Sequence, residues 1–331
     1  MQVRLLKEKN EENMLSPYAS RSVNSKGRDV YEEHCNIRTC FQRDRDRIIH
    51  SRAFRRLTHK TQVFIAPEND HFRTRMTHTL EVSQISRTIA SCLSLNEDLA
   101  EAIALGHDLG HTPFGHLGED CLNEILEGGF RHNEQSVRVV QKLEKNGEGL
   151  NLTHEVLDGI LNHRGRCSPN SLEGKIVQIS DKIAYINHDI EDAIIAGILK
   201  KEELPKDILD VLGQTPKQII NFLVNDVINN SLNVNNIIMT PEVKSQMYKL
   251  RAFLFENVYK ANIVVEERTN YGFMIKELYY YYIKNFEELP LEFLELWKLH
   301  SCSKPRIICD YIASMTDRYA IKKYKLIKNK L

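Results

Sequence analysis

Between Ile176 and Leu199, Ile179, Ile183, Ile186, Ile190 and Ile194 recur at steps of three and four residues. That spacing lays one apolar stripe along a helix, whereas an extended strand would send such residues to both faces. The same period predicts a helix over Asp44 to Thr61, through Ile48, Ile49, Ala53, Phe54 and Leu57 with arginines between them. It predicts another over Thr74 to Leu93, through Val82, Ile85, Ile89 and Leu93. Leu99 to Leu105, Leu117 to Leu126, Phe130 to Leu143 and Thr153 to Asn162 read as further helices, the last with Thr153 as N-cap. No stretch of useful length alternates apolar with polar residues, and no internal repeat is visible. The expected fold class is therefore all-α, a helical bundle. Turn signals at Ser16-Pro17, Asn24-Ser25 and Gly27, without sustained periodicity, make residues 1–40 an irregular, extended N-terminal arm. The expected core spans 41–200, and 201–331 forms a C-terminal helical part packed on it, punctuated by Pro205, Pro216, Pro241, Pro290 and Pro305. Val63 to Ala66, followed by Pro67 and Asn69-Asp70, is expected to be a loop.

Charge narrows the partners. Lysine plus arginine and aspartate plus glutamate both number 45, so net charge gives no reason to expect a general polyanion binder. Locally the balance shifts: Arg43, Arg45, Arg47, Arg52, Arg55, Arg56, Lys60 and Arg73 lie between Arg38 and Arg75 with few acids. That segment is either a solvated face or a phosphate-facing surface. The seven cysteines stand singly, without metal-ligand spacing, and are expected to be reduced and mostly buried. No apolar run has the length of a membrane span, and MQVRLLKEKN lacks the apolar core of a signal peptide, so the expectation is a cytoplasmic protein. The run Tyr279 to Tyr282 reads as an aromatic helix face packed on its neighbours.

The chemistry concentrates in LGHDLGHTPFGHLGE, Leu105 to Glu119. His107 and Asp108 offer an imidazole nitrogen beside a carboxylate oxygen, a pair that one divalent cation can take. Gly110, Thr112 and Pro113 should end one helix and begin another, with Thr112 as N-cap and Pro113 in the first helical position. His116 and Glu119, three residues apart, then share a face. His78 lies on an earlier helix and Asp181 on a later one, where Asp181, Tyr185 and Asp189 follow at steps of four. Together His78, His107, Asp108 and Asp181 would give four nitrogen or oxygen ligands from three helices, a divalent-metal site in a helical bundle.

The order H…HD…D resembles that of the HD-domain phosphohydrolases. RTCFQRDRDRIIHSRAFRRLTHKTQVF, RTRMTH, HDLGHTPFGHLGE, FRHNEQS and DYIASMTDRYA narrow the resemblance to the deoxynucleoside triphosphate triphosphohydrolases, the dGTPase-like branch. The matching segments run from about Tyr18 to Tyr319. The resemblance implies that His78, His107, Asp108 and Asp181 hold a divalent ion, manganese or magnesium before iron, cobalt or zinc. It makes His116 and Glu119 the catalytic pair near the α-phosphorus, with the imidazole as acid or base and the carboxylate orienting it. Gln62 and Arg75 match positions that contact sugar and phosphate, His132 a phosphate-side histidine, and Tyr185 and Asp189 positions that close on the deoxyribose. Arg55 and the arginine-rich helix would neutralise the triphosphate, while His111 and His163 are supporting or structural candidates. The implied reaction splits a deoxynucleoside triphosphate into deoxynucleoside and tripolyphosphate. The implied state is a homo-oligomer, in some relatives with an effector nucleotide at subunit contacts. The alternatives are an HD-type 5′-nucleotidase or phosphodiesterase, which would need less positive charge beside the site, and a regulator that grips single-stranded nucleic acid through the basic segment.

Overall fold

The computed structural model describes residues 3–64, 72–165 and 167–329. In chain order its α-helices are α1 (Val3–Met14), α2 (Cys40–Ile49), α3 (Arg52–Arg56), α4 (Arg75–Cys92), α5 (Glu97–Gly106), α6 (His116–Ile125), α7 (His132–Arg138) and α8 (His154–Asn162). After these come α9 (Leu172–Ile195), α10 (Lys206–Leu212), α11 (Pro216–Ser231), α12 (Pro241–Leu254), α13 (Asn262–Lys284), α14 (Leu291–His300), α15 (Lys304–Ser314) and α16 (Asp317–Lys328). Extended pairing among the described residues is confined to isolated bridges, Arg28 with Thr153 and Thr61 with Thr74. The all-α expectation holds. No helix of the described residues is long and apolar enough to cross a membrane.

The chain forms two compact units, each assembled from separated segments. The first comprises Met1–Asp46, His78–Leu105 and Leu152–Val264; the second comprises Arg47–Thr77, Gly106–Asn151 and Val265–Leu331. These limits do not coincide with boundaries at 40 and 200, because compactness follows packing partners rather than chain order.

In the first unit α9 carries the isoleucine stripe. Ile183, Ile186 and Ile190 are buried, Ile179 is half-buried and Ile194 is exposed. Gly159 lets α8 approach α5, since a Cβ there would lie 2.4 Å from Ile103 Cδ1. Buried carboxylates pin the loops. Glu173 accepts from Ser20 N and Oγ at 2.9 Å each and from Asn96 N at 3.0 Å. Asp44 accepts from Thr153 N at 2.9 Å and Oγ1 at 2.6 Å, and from Arg28. The N-terminal arm is irregular only after Met14. Val3–Met14 is helix, supported by the Arg4–Glu8 pair one turn apart and by Glu11, which holds Ser22 N and Oγ at 2.6 and 2.7 Å.

In the second unit, one apolar cluster joins Phe114, Leu122 and Phe130 to Leu278, Tyr282, Tyr311 and Ile312. The tyrosine run packs as expected: Tyr279, Tyr281 and Tyr282 are buried and Tyr280 faces out. The helix expected over Asp44 to Thr61 is broken at Ser51, whose side chain accepts from Phe54 N and caps α3. Glu144 takes the next free amides, Arg52 N at 3.1 Å and Ala53 N at 2.8 Å. The segment Val63 to Ala66 enters a bend at Val63 and Phe64; its remainder, with Pro67, Asn69 and Asp70, lies outside the described residues. The cysteines are free, as expected, but only Cys121 and Cys309 are buried. Cys92 at the end of α4 and Cys167 before α9 are exposed, because both sit outside helix faces that pack.

Candidate active site

In the second unit the HD segment is a tight turn clamped from three directions. Gly110 passes so close to α7 that a Cβ would meet Ser136 N at 2.2 Å. Ser136 Oγ accepts from Gly110 N at 2.9 Å and donates to the His107 carbonyl at 2.7 Å. Lys60, buried, donates to the carbonyls of His111 and Ala313, the latter at 2.7 Å. Burial drives this ammonium well below its usual pKa, with Arg56 adding to the effect. Asp317 accepts from Phe114 N at 2.9 Å and from Thr61 N at 2.8 Å. The helix expected from Pro113 therefore starts later, at His116. Phe114 and Gly115 have φ of 60° and 59°, outside helical space, and Thr112 does not cap α6 but donates to the Gly115 carbonyl at 2.8 Å.

Clamped this way, the turn presents its side chains together. His107 Nε2 lies 3.4 Å from Asp108 Oδ1, and Arg75, 2% exposed, donates to Asp108 Oδ2 at 2.6 Å. His111 Nε2 is 3.5 Å from Asp108 Oδ1, and its ring stacks on His132 with centroids 3.9 Å apart. Glu119 is the hub of the next shell of groups. It accepts from His132 N at 2.9 Å, faces His132 Nδ1 at 3.0 Å and faces His116 Nδ1 at 2.9 Å. Burial pushes the Glu119 carboxyl up, but the charge of His132 and the bonds from both imidazoles outweigh it and hold the group well below the usual carboxylate range. Burial, with Arg75 and His132 nearby, keeps His111 well below the usual imidazole value, hence neutral. His116 alone among these rings is open to solvent, its side chain 53% exposed.

The first unit holds His78, His163, Asp181, Tyr185 and Asp189. His78 Nε2 on α4 stands 3.1 Å from Asp181 Oδ1 on α9. One turn past Asp181, burial raises the Tyr185 hydroxyl well above its ordinary pKa, and the Arg251 guanidinium lies 6.0 Å from the ring centroid. Asp189 is buried and accepts from the Tyr259 hydroxyl. His188 Nε2 pairs with Glu81 Oε2 at 2.7 Å. His163 closes α8, its Nδ1 2.7 Å from the Ile160 carbonyl, an end-of-helix role.

Sequence reasoning did not single out Glu81, His188, Arg251 or Tyr259. Arg251 and Tyr259 lie far along the chain from α9, with no spacing to tie them to it. Nor did it foresee what most of the arginines do. Arg43 pairs with Glu32, Arg45 with Asp46, Asp98 and Glu101, and Arg52 with Glu292, while Arg47 donates to the carbonyls of Leu150 and Asn151. The basic segment is thus largely spent on intramolecular partners; Arg55 is exposed on α3 and Gln62 is buried, its carbonyl near Arg75 NH2 at 3.4 Å.

Do these donors suit a metal? Two atoms bound to one ion at ~2.1 Å stand roughly 3 to 3.5 Å apart. His78 with Asp181, and His107 with Asp108, each have that spacing between an imidazole nitrogen and a carboxylate oxygen. The donor types, borderline nitrogen and hard oxygen, fit a divalent first-row ion or magnesium.

The HD domain family matches residues 75–186, which contain all four of these residues, and the phosphohydrolase-associated domain matches 237–326. A phosphohydrolase from Bacteroides thetaiotaomicron superposes with a TM-score of 0.52 over 85% of this chain and 67% of that one, at 16% identity, a likeness of fold. An all-α HD-domain phosphohydrolase is the class that fold and site define. A deoxyguanosinetriphosphate triphosphohydrolase-like protein of Caldanaerobacter subterraneus subsp. tengcongensis is 57% identical over 327 residues, 99% of this chain and 96% of that one. One of the same description from Clostridium perfringens strain SM101 is 50% identical over 95% of this chain and 94% of its own. The chain belongs to the deoxyguanosinetriphosphate triphosphohydrolase-like family.

Proposed function

We propose that the protein hydrolyses deoxynucleoside triphosphates, dGTP among them, to deoxynucleoside and tripolyphosphate. His78, His107, Asp108 and Asp181 are the ligands of a divalent cation in this reading, manganese or magnesium first. When bound, such an ion supplies Lewis-acid activation of water and neutralises phosphate charge. The observation that carries the reading is the Glu119 hub. A carboxylate held well below its usual range faces Nδ1 of both His116 and His132, which leaves Nε2 of the exposed His116 as the ring nitrogen that can give up a proton.

That proton matters because of the bond in question. Cleavage between the α-phosphorus and the 5′-oxygen expels an alkoxide, a poor leaving group unless an acid protonates it. Water adds to the α-phosphorus, the 5′-oxygen departs with the proton of His116, and three linked phosphates leave together. Arg75 orients Asp108 and, with Gln62 and His132, faces the phosphate and sugar. Tyr185 packs under the deoxyribose and Asp189, aligned by the Tyr259 hydroxyl, accepts from the 3′-hydroxyl. Because Arg43, Arg45, Arg47 and Arg52 are engaged within the protein, the basic segment offers little support for gripping single-stranded nucleic acid. The family resemblance implies a homo-oligomer and, as in some relatives, an effector nucleotide at subunit contacts, and we extend the proposal to both.

A single-turnover reaction in heavy-oxygen water tests the bond assignment. Mass spectrometry should find the label in tripolyphosphate and none in the deoxynucleoside. Orthophosphate plus a diphosphate, or label in the nucleoside, would refute the triphosphohydrolase reading and favour an HD-type nucleotidase.

A further inference from the structure

We propose that Glu81 and His188 form a positioning pair that fixes the ring of His78 for metal ligation, an inference resting on the ligand assignment above. His78 and Glu81 are three residues apart on α4 and share a face; Asp181 and His188 are seven apart, two turns, on α9 and share another. Two rungs join these faces, His78 Nε2 to Asp181 Oδ1 at 3.1 Å and His188 Nε2 to Glu81 Oε2 at 2.7 Å. Between the rungs the two imidazoles meet edge to face, centroids 5.7 Å apart and planes at 89°.

Packing alone does not call for an imidazole at position 188. The side chain is 3% exposed, and an apolar residue would fill the space without desolvating two ring nitrogens. The imidazole adds a fixed plane. Glu81 holds one of its nitrogens, and the edge-to-face contact then resists rotation of the His78 ring, which would carry Nε2 away from Asp181. Groups that hold a ligating histidine in orientation are worth about 10- to 100-fold in metal affinity. The Glu81 side chain is 40% exposed although the Oε2 that faces His188 is buried, and an anchor whose stem is open to water belongs at the lower end of that range, about tenfold.

Equilibrium dialysis of manganese against the metal-stripped full chain tests this, with metal-free thermal melts run beside it. His188→Ala should weaken manganese binding about tenfold. His188→Phe keeps a ring against His78 but loses Glu81, and Glu81→Gln keeps His188 but weakens its anchor; both should fall between His188→Ala and the unmodified protein. The partly exposed position of Glu81 makes Glu81→Gln an informative variant even if His188→Ala fails to fold. Unchanged manganese affinity in Glu81→Gln and His188→Phe would overturn the pair, as would losses of affinity that merely track lowered metal-free melting temperature. No manganese binding by the unmodified protein would instead refute the ligand assignment itself.

Discussion

Glu119 faces two imidazoles through Nδ1, yet only His116 is open to solvent. This asymmetry separates proton transfer from metal holding at the level of single side chains. His116→Ala should keep its metal and lose turnover by about 10²–10⁴-fold, the usual worth of a positioned general acid. Asp181→Ala should lose metal and activity together, because the His78–Asp181 pair loses both a donor and a charge. Elemental analysis of both purified variants, beside their turnover, decides the division; a metal-free but folded His116→Ala would contradict it. The sugar is chosen at the same scale. A ring packed beneath the deoxyribose leaves little room for a 2′-hydroxyl, so dGTP should be turned over faster than GTP, and Tyr185→Ala should narrow the ratio. Equal rates on the two nucleotides under saturating metal would remove Tyr185 from that role.

At the scale of elements, the turn between α5 and α6 depends on a close backbone approach. Any side chain at position 110 meets the backbone of α7 at 2.2 to 2.5 Å. Gly110→Ala should therefore cost about 3 kcal/mol or more, the upper end of overpacking penalties, and should weaken metal binding because His107 and Asp108 move with the turn. Urea unfolding combined with metal titration checks both effects. Helix positions along the chain were legible in apolar spacing, and α8 begins after Thr153 as expected. The start of α6 was not. Thr112 and Pro113 have the composition of a helix N-terminus, but Asp317 holds the Phe114 amide and left-handed backbone at Phe114 and Gly115 delays the helix to His116. Likewise Ser51 interrupts an otherwise continuous apolar period because its side chain and Glu144 satisfy the amides that a continuing helix would have bonded.

Across the whole molecule, buried carboxyls join distant segments. Glu173 ties Ser20 to Asn96, and burial raises its pKa above the ordinary 4.5 despite the bonds it accepts from Asn96 and Ser20. A carboxyl raised in this way keeps its proton in the folded state at pH values where the unfolded chain has lost it. Its contribution is complete below the unfolded pKa and is lost as pH rises through the folded one. Stability should thus fall over a window opening at 4.5 and running upward, and Glu173→Gln should flatten that part of the curve. Urea midpoints of both proteins across the window give the comparison; parallel curves would mean that Glu173 stays ionised.

Most helices of the chain, their apolar faces and the residue types of the candidate site were legible in the order of residues, though α1 and the helix ends at Ser51 and His116 were not. A three- or four-residue period is a property of neighbours in the chain and pointed to an all-α protein, while the order H…HD…D, by its resemblance to the HD-domain phosphohydrolases, pointed to His78, His107, Asp108 and Asp181 as a donor set. Tertiary structure decided which groups remain available for chemistry. Lys60 is spent on Ala313, Thr61 on Asp317, Arg45 on Asp98 and Glu101, and His188 on Glu81, partners that lie tens to hundreds of residues away. A buried charge must find a partner wherever the fold places one, and separation along the chain carries no signal of that place.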